Sequence, residues 1–448
     1  MTVSCTTDAL VDVSADVLAL FLPVKPAAPL LAALESALDL PLAAAADDLN
    51  DTPGHRRTLY PGDTLAADRV VLVSLGGADD VDADALRQAG AGAAKGGRDA
   101  DATSLALLLP DADADDATVA QALTEGVMLG GYQYRRYKTD DAPPALDALY
   151  LHPGDQREAD AVTRGGTRGA AMAHAACTAR DLVNCSPHDK TATLLAEAIQ
   201  ASGAAHGYDV ETWTKDRIEA EDFGGLLAVN QGSLEPPTFS VLSWTPEDAL
   251  NEQPIILVGK GVVFDTGGLS LKSTKNSMDF MKSDMGGAAA VVGAFEAIAD
   301  LNLPLHVLGF VPATDNRPGQ KAYVPGDVVT MHSGATVEVM NTDAEGRMLL
   351  ADALSYAKRH DPELVIDLAT LTGAQLVALG SDAAAVMTAE TDGAAERLYA
   401  LQRAGERSGE RVHPLPMYDV YGKHLESDVA DIKNVGGREA GCITAGKF

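Results

Sequence analysis

Aromatic residues make up only 5% of the 448-residue chain, and cysteine occurs four times. Cys5, Cys177, Cys185 and Cys442 form no CxxC pair and no disulfide-framework spacing, so they read as reduced, small apolar side chains of a cytosolic protein. A long apolar run is also lacking. The first apolar stretch has no basic segment before it and is interrupted by Pro23, Lys25 and Pro29, short of the ~20 residues a membrane span needs. Secretion and membrane insertion are therefore not expected, and the expected location is the cytoplasm. Positive charge is scarce: 34 Lys and Arg face 65 Asp and Glu, for a net charge of −31. Such a balance repels phosphate backbones and anionic headgroups, which argues against a nucleic-acid partner. Asp (45) outnumbers Glu (20) and lysine occurs only 14 times, a bias that suits a high-salt cytoplasm where hydrated carboxylates maintain solubility.

Several catalytic signatures are missing as well. No HExxH occurs and none of the ten histidines forms a close ligand pair, which argues against a zincin-type protease. No G-x-S-x-G supports serine catalysis, and no G-x-x-x-x-G-K-[ST] supports a phosphate-binding loop.

What is present is an ordinary globular composition, 46% apolar and 22% charged, at a length that suits two or three domains of roughly 100–200 residues. Short apolar runs (Val17–Val24, Val70–Leu75, Leu105–Leu109) alternate with Ala-rich helical stretches, separated by clusters such as Gly76–Asp80, which predicts an α/β domain over residues 1–157. Asp111, Asp113, Asp115 and Asp116 lack the glycine and the closing glutamate of a calcium loop and read as a solvated acidic turn. A Pro-, Asp- and Gly-rich stretch ends this domain, and residues 158–183 predict a linking helix. From 184 to 448, apolar runs at Phe239–Trp244, Pro254–Phe264, Leu305–Val311, Thr336–Met340 and Leu364–Leu368 alternate with helical patterns at Thr191–Ala201, Met285–Leu301 and Gly346–Arg359. Strand, loop and helix in repetition predict a mostly parallel sheet covered by helices, with ligands at the carboxyl ends of its strands.

Three clusters sit at such ends. Lys260 and Asp265 lie in Gly259–Lys272, among apolar and glycine residues. A lysine inside a buried strand needs a carboxylate partner, a neutral amine or a polar site. Asp284 precedes the helical pattern at 285, where an N-cap is the simple account. Asn341-Thr342-Asp343-Ala344-Glu345-Gly346-Arg347 follows a strand, and in an extended loop its spacing sends Asp343, Glu345 and Arg347 to one side. Each cluster alone can be a cap or an ion pair. Together, Asp265, Asp284, Asp343 and Glu345 would repel one another unless cations lay between them, and an oxygen-rich set suits Mg, Mn or Zn.

These segments, with Met281–Ala288, Asp367–Ala374 and Asp431–Gly441, resemble the leucyl aminopeptidase family of two-metal exopeptidases (M17). The resemblance covers the second domain nearly throughout and the first loosely, best at Gly126–Lys138. It implies a macro-domain-like N-terminal domain and a catalytic domain with two divalent ions per subunit, Mn2+ or Zn2+. Lys260, Asp265, Asp284 and Glu345 would hold one ion, and Asp265, Asp343 and Glu345 the other. Lys272 would stabilise the oxyanion, and Arg347 would hold a bicarbonate that shuttles a proton. Met281, Thr370 and Gly373 would line the pocket for a Leu- or Met-like first residue of short peptides, Leu371 would offer backbone contacts, and Asn341 would join the substrate site. A homohexamer is the implied assembly. The resemblance further implies that a family tail is missing beyond Phe448, with the expectation that metal binding outlasts that loss better than turnover. The competing reading is a catalytically impaired, truncated member that acts as a metal-binding or assembly protein. A DNA-binding role is opposed by the charge, and a two-metal phosphoesterase by the lack of His and Asn ligands in the clusters.

Overall fold

The computed structural model describes residues 1–77, 81–154, 157–389, 391–437, 440–441 and 443–448. Cys442, Arg438 and Glu439, and the end of the Gly76–Asp80 cluster, lie outside the described residues. The chain divides into two compact units, Met1–Cys177 and Thr178–Phe448.

The first unit contains β1 (Thr2–Cys5), β2 (Val17–Leu22), α1 (Ala28–Leu38), α2 (Ala43–Asp47), β3 (Arg56–Leu59), β4 (Arg69–Ser74), α3 (Ala83–Asp99), β5 (Ser104–Leu108), α4 (Asp116–Gly131) and β6 (Ala148–His152). Helix α5 (Ala159–Asn184) follows, and its last turns belong to the second unit. The strands form a six-stranded sheet in the order β1-β6-β5-β2-β4-β3, parallel except for β3. All six residues of β2 are buried because the two side-chain sets face different cores. Val17, Ala19 and Phe21 join Leu86, Ala89 and Leu123 on one face, while Leu18, Leu20 and Leu22 join Leu38 and Leu42 on the other. An unbroken apolar run is what a strand covered on both faces requires. The acidic turn ends in a cap: Asp115 accepts from the Thr118 amide at 2.9 Å and starts α4.

The second unit continues with α6 (Ala192–His206), β7 (Asp209–Trp213), α7 (Lys215–Ala220), α8 (Gly224–Asn230), β8 (Thr238–Trp244), β9 (Ile255–Gly259), β10 (Gly261–Asp265), α9 (Gly286–Asp300), β11 (Val307–Asn316), β12 (Val328–Thr330), β13 (Thr336–Glu338), α10 (Gly346–Ala357), β14 (Leu364–Leu368), α11 (Ala374–Leu379), β15 (Ala384–Val386), α12 (Ala394–Ser408), β16 (Val412–Pro414), β17 (Ile432–Lys433) and α13 (Ile443–Lys447). Its main sheet runs β14-β9-β11-β8-β7, with β10 also paired to β11. The β14, β9, β10 and β11 pairings are parallel, and β8 and β7 add antiparallel ladders at one edge. Phe310, Ile256, Val258 and Leu349 pack on one face, with α10; Val263, Val311, Val292 and Leu195 pack on the other, with α9 and α6.

One expectation is corrected here. The run Pro254–Phe264 is not a single strand but β9 and β10, divided at Lys260. Val258 pairs with Phe310 and Gly261 with Ala313, so the same offset on both sides sets Lys260 level with Pro312. Proline has no N–H to give the ladder. The Lys260 amide continues the ladder to β14, donating to Leu368 O at 3.0 Å, while its carbonyl leaves the sheet and accepts from Ala288 N of α9 at 3.0 Å.

Candidate active site

The break leaves the Lys260 side chain 2% exposed, inside the molecule. Its ammonium lies 2.8 Å from Asp284 Oδ1, 2.9 Å from Glu345 Oε1 and 3.0 Å from the Thr370 carbonyl. Asp284 is delivered by a 3-10 segment, Met278–Ser283, that runs into α9. It does not cap the helix, and the N-cap account fails: no side-chain cap bond forms at the start of α9. Its Oδ1 accepts from Lys260 and, at 2.7 Å, from the Thr370 hydroxyl.

Asp265 ends β10 beyond a bulge. Val262 pairs with Thr314 and Asp265 with Asn316, three residues against two, and the extra residue re-aims the carboxylate. Gly267, at φ +83°, then turns the chain so that its amide bonds Asp265 Oδ1 at 2.7 Å. The loop returns Lys272 to the same carboxylate, Nζ to Oδ2 at 2.9 Å, and Lys272 also contacts Asp343 Oδ1. Two lysines thus each bridge two carboxylates.

The third cluster is more ordered than an extended loop. Glu345 already has helical angles and Gly346 opens α10, so Arg347 stands inside the helix and the expected one-sided extended spacing does not hold. Asn341 Oδ1 accepts from the Asp343 amide at 2.8 Å and so tightens the turn. Asn434, buried after β17, accepts from the Met340 and Asn341 amides through Oδ1 and donates to the Asn341 carbonyl at 2.7 Å. The Tyr323 hydroxyl donates to the Thr342 carbonyl at 2.8 Å. Asn434 lies in the Asp431–Gly441 segment that carries the resemblance, without a role assigned there, whereas Tyr323 acts on a loop about 20 residues away and belongs to no local pattern of its own. Of the remaining expected residues, Met281 lies half-buried in the 3-10 segment, Leu371 is half-buried after β14, and a Cβ on Gly373 would meet open space.

Burial and charge act against each other throughout this region. Burial pushes Asp284 well above the ordinary carboxylate value, and Lys260 only partly offsets this because one ammonium serves two carboxylates. Asp343 is pushed up to about 6, by burial first and against the pull of Lys272. Burial would lower Lys260, but Asp284 and Glu345 outweigh it and hold the ammonium protonated. Burial lowers the Arg347 guanidinium, opposed by Glu345.

The donor set fits divalent cations. One carboxylate oxygen from each of Asp265, Asp284 and Glu345 lies within 4.8 Å of the others. Among the described residues, Asp284 Oδ2 and Glu345 Oε2 are buried without a hydrogen-bond partner, and so are Nε and Nη1 of Arg347. Buried charged oxygens without partners are costly unless a cation completes them. An anion would complete Arg347 in the same way.

Residues 177–448 match the model of the cytosol aminopeptidase family, catalytic domain, and residues 23–141 match its N-terminal domain. The chain belongs to the cytosol aminopeptidase family. It is accordingly an aminopeptidase, a metal-dependent hydrolase. It is 43% identical over 430 residues to a probable cytosol aminopeptidase of Syntrophotalea carbinolica, covering 94% of this chain and 85% of that relative. A probable cytosol aminopeptidase of Chloroherpeton thalassium is 46% identical over 413 residues, covering 87% of this chain and 79% of the relative. Among solved structures, a mutant of tomato leucine aminopeptidase superimposes with a TM-score of 0.88 at 30% identity, covering 100% of this chain and 88% of that one. The bottromycin maturation enzyme BotP in complex with Mn does so at 0.82 and 35% identity, covering 97% and 88%.

Proposed function

We propose that this family member removes the N-terminal residue, Leu- or Met-like, from short peptides, using two divalent ions, Mn2+ or Zn2+, held by the acidic cluster. The reading rests on Asp284 Oδ2 and Glu345 Oε2, two buried carboxylate oxygens that no group among the described residues completes. Lys260, Asp265, Asp284 and Glu345 would hold one ion, and Asp265, Asp343 and Glu345 the other. Bound there, the ions supply an activated water and a Lewis acid for the scissile carbonyl. Lys272, whose ammonium lies between Asp265 and Asp343, would direct it at the developing oxyanion. Lys260 would ligate only as a neutral amine, its proton given up to solvent when the ion's charge replaces it between Asp284 and Glu345. Arg347 would hold a bicarbonate through Nε–H and Nη1–H, which have no hydrogen-bond partner among the described residues, and such an anion would supply a proton relay beside the leaving amine. Met281, Thr370 and Gly373 border the space for the first side chain, Leu371 contributes backbone groups, and Asn341 shapes the loop beneath the substrate. The working form is a homohexamer in the cytoplasm, a setting that suits the charge of −31; no helix among the described residues is long and apolar enough to cross a membrane.

The test is hydrolysis of Leu-p-nitroanilide with Mn2+ or Zn2+, beside the N-acetylated analogue and a Lys272→Ala variant. Turnover of the free-amine substrate alone, lost in the variant, is expected. Equal turnover of the acetylated substrate would contradict exopeptidase recognition.

A further inference from the structure

Asn316 is the last residue of β11, fully buried, and in register with Asp265 across the bulge. Its Nδ2 donates to Asp265 Oδ1 at 2.8 Å and to the Thr342 carbonyl at 3.0 Å. One amide thereby ties together two of the three chain segments that supply carboxylates: β10 with Asp265, and the loop with Asp343 and Glu345. Its backbone carbonyl reinforces the tie, accepting from the Thr266 amide at 3.0 Å and the Thr266 hydroxyl at 2.8 Å. The amide orientation follows from its neighbours. Turning it over would set Oδ1 against two acceptors and strand both. The chosen orientation leaves Oδ1 itself buried without a partner. The fold thus accepts one incomplete acceptor in order to aim a donor at Asp265.

We propose that Asn316 is a positioning residue of the metal centre, which fixes the rotation of the Asp265 carboxylate and the height of the Asp343–Glu345 loop. The inference rests on the two-ion reading above. With Nδ2 of Asn316 and the Gly267 amide both on Oδ1, the Asp265 carboxylate cannot swing, and Oδ2 is presented toward Lys272 and the cluster. A neutral donor is required at this position. An aspartate would add a fifth carboxylate to the four already there and give no N–H; a leucine of similar volume would leave Oδ1 with the Gly267 amide only. Groups that orient metal ligands typically contribute about 10–100-fold to affinity.

The test titrates Mn2+ by calorimetry into the full chain and into Asn316→Leu and Asn316→Ala, two variants so that a packing failure in one leaves the other. Urea unfolding of the metal-free proteins is measured in parallel. The expected result is a ~10–100-fold weaker Mn2+ affinity in both variants with the unaltered chain binding two ions. A packing role alone would lower the urea midpoint and leave the Mn2+ affinity of the folded protein unchanged, and that result overturns the proposal. If the unaltered chain binds no Mn2+, the two-ion reading falls and this inference with it, whereas equal affinity in all three proteins removes only the role of Asn316.

Discussion

Lys260 reaches its two carboxylates because the residue facing it at the start of α10 is Gly346. A Cβ there would stand 2.5 Å from Lys260 Cε, with no room to recede in a side chain that is 2% exposed. Gly346→Ala is therefore expected to weaken Mn2+ binding about 10-fold or more and to lower stability by about 1–3 kcal/mol, read from calorimetry and from urea unfolding. Removing the ammonium has a larger effect on the metal-free fold. Lys260→Met strips Asp284 and Glu345 of their countercharge, and a loss of about 3–5 kcal/mol is expected in urea with a chelator present. Unchanged stability would mean that the two carboxylates take up protons at no cost. At this scale the charged residues were readable in the sequence, since carboxylates and lysines among apolar and glycine residues demand a reason. The neutral ones were not. Asn316, Asn434 and Tyr323 act through hydrogen bonds to segments remote in the sequence, and of the three only Asn434 lies in a segment, Asp431–Gly441, that the resemblance marks.

At the scale of elements, strands were the most readable, because a two-face core imposes unbroken apolar runs. Leu364–Leu368 and the bulk of β2, β4, β5 and β8 fall where the runs fall. The break at Lys260 was not readable, as it depends on Pro312 in a neighbouring strand. The start of α10 at Gly346 agrees with the helical pattern of the sequence, while the helical angles of Glu345 before it are not marked by any local pattern. In the first unit, Asp16 pins the start of β5 beside β2. Its Oδ2 accepts from the Thr103 amide at 2.6 Å, the Thr103 hydroxyl at 2.9 Å and the Ser104 amide at 2.9 Å. Burial opposes the charge, but these bonds outweigh it and hold the carboxyl below its ordinary value of 3.8. A depressed folded value stabilises above the unfolded pKa and is lost as pH falls through the folded one. Asp16→Ala is expected to destabilise by about 1 kcal/mol at neutral pH, and the difference from the unaltered protein should close as pH falls below about 4. A difference that stays constant to low pH would assign the effect to packing.

For the whole molecule, −31 of net charge means that self-repulsion works against the compact state. Added salt screens it, since the Debye length falls from about 10 Å at 0.1 M to about 3 Å at 1 M. The melting temperature is expected to rise between 0.1 M and molar KCl, and an insensitive one would remove the reading of a high-salt cytoplasm. The same charge balance concentrates its sharpest conflict in one place, where four carboxylates share two lysines at the carboxyl ends of a parallel sheet. On the proposed reading, cations resolve that conflict and the aminopeptidase chemistry depends on them. The direct measurement is the number of Mn2+ ions held per chain after equilibration and removal of loosely bound metal, by calorimetry and elemental analysis together. Two ions are predicted, with both sites lost in Asp265→Ala, whose carboxylate is assigned to both. Binding of no ion, or two ions retained without Asp265, would contradict the account.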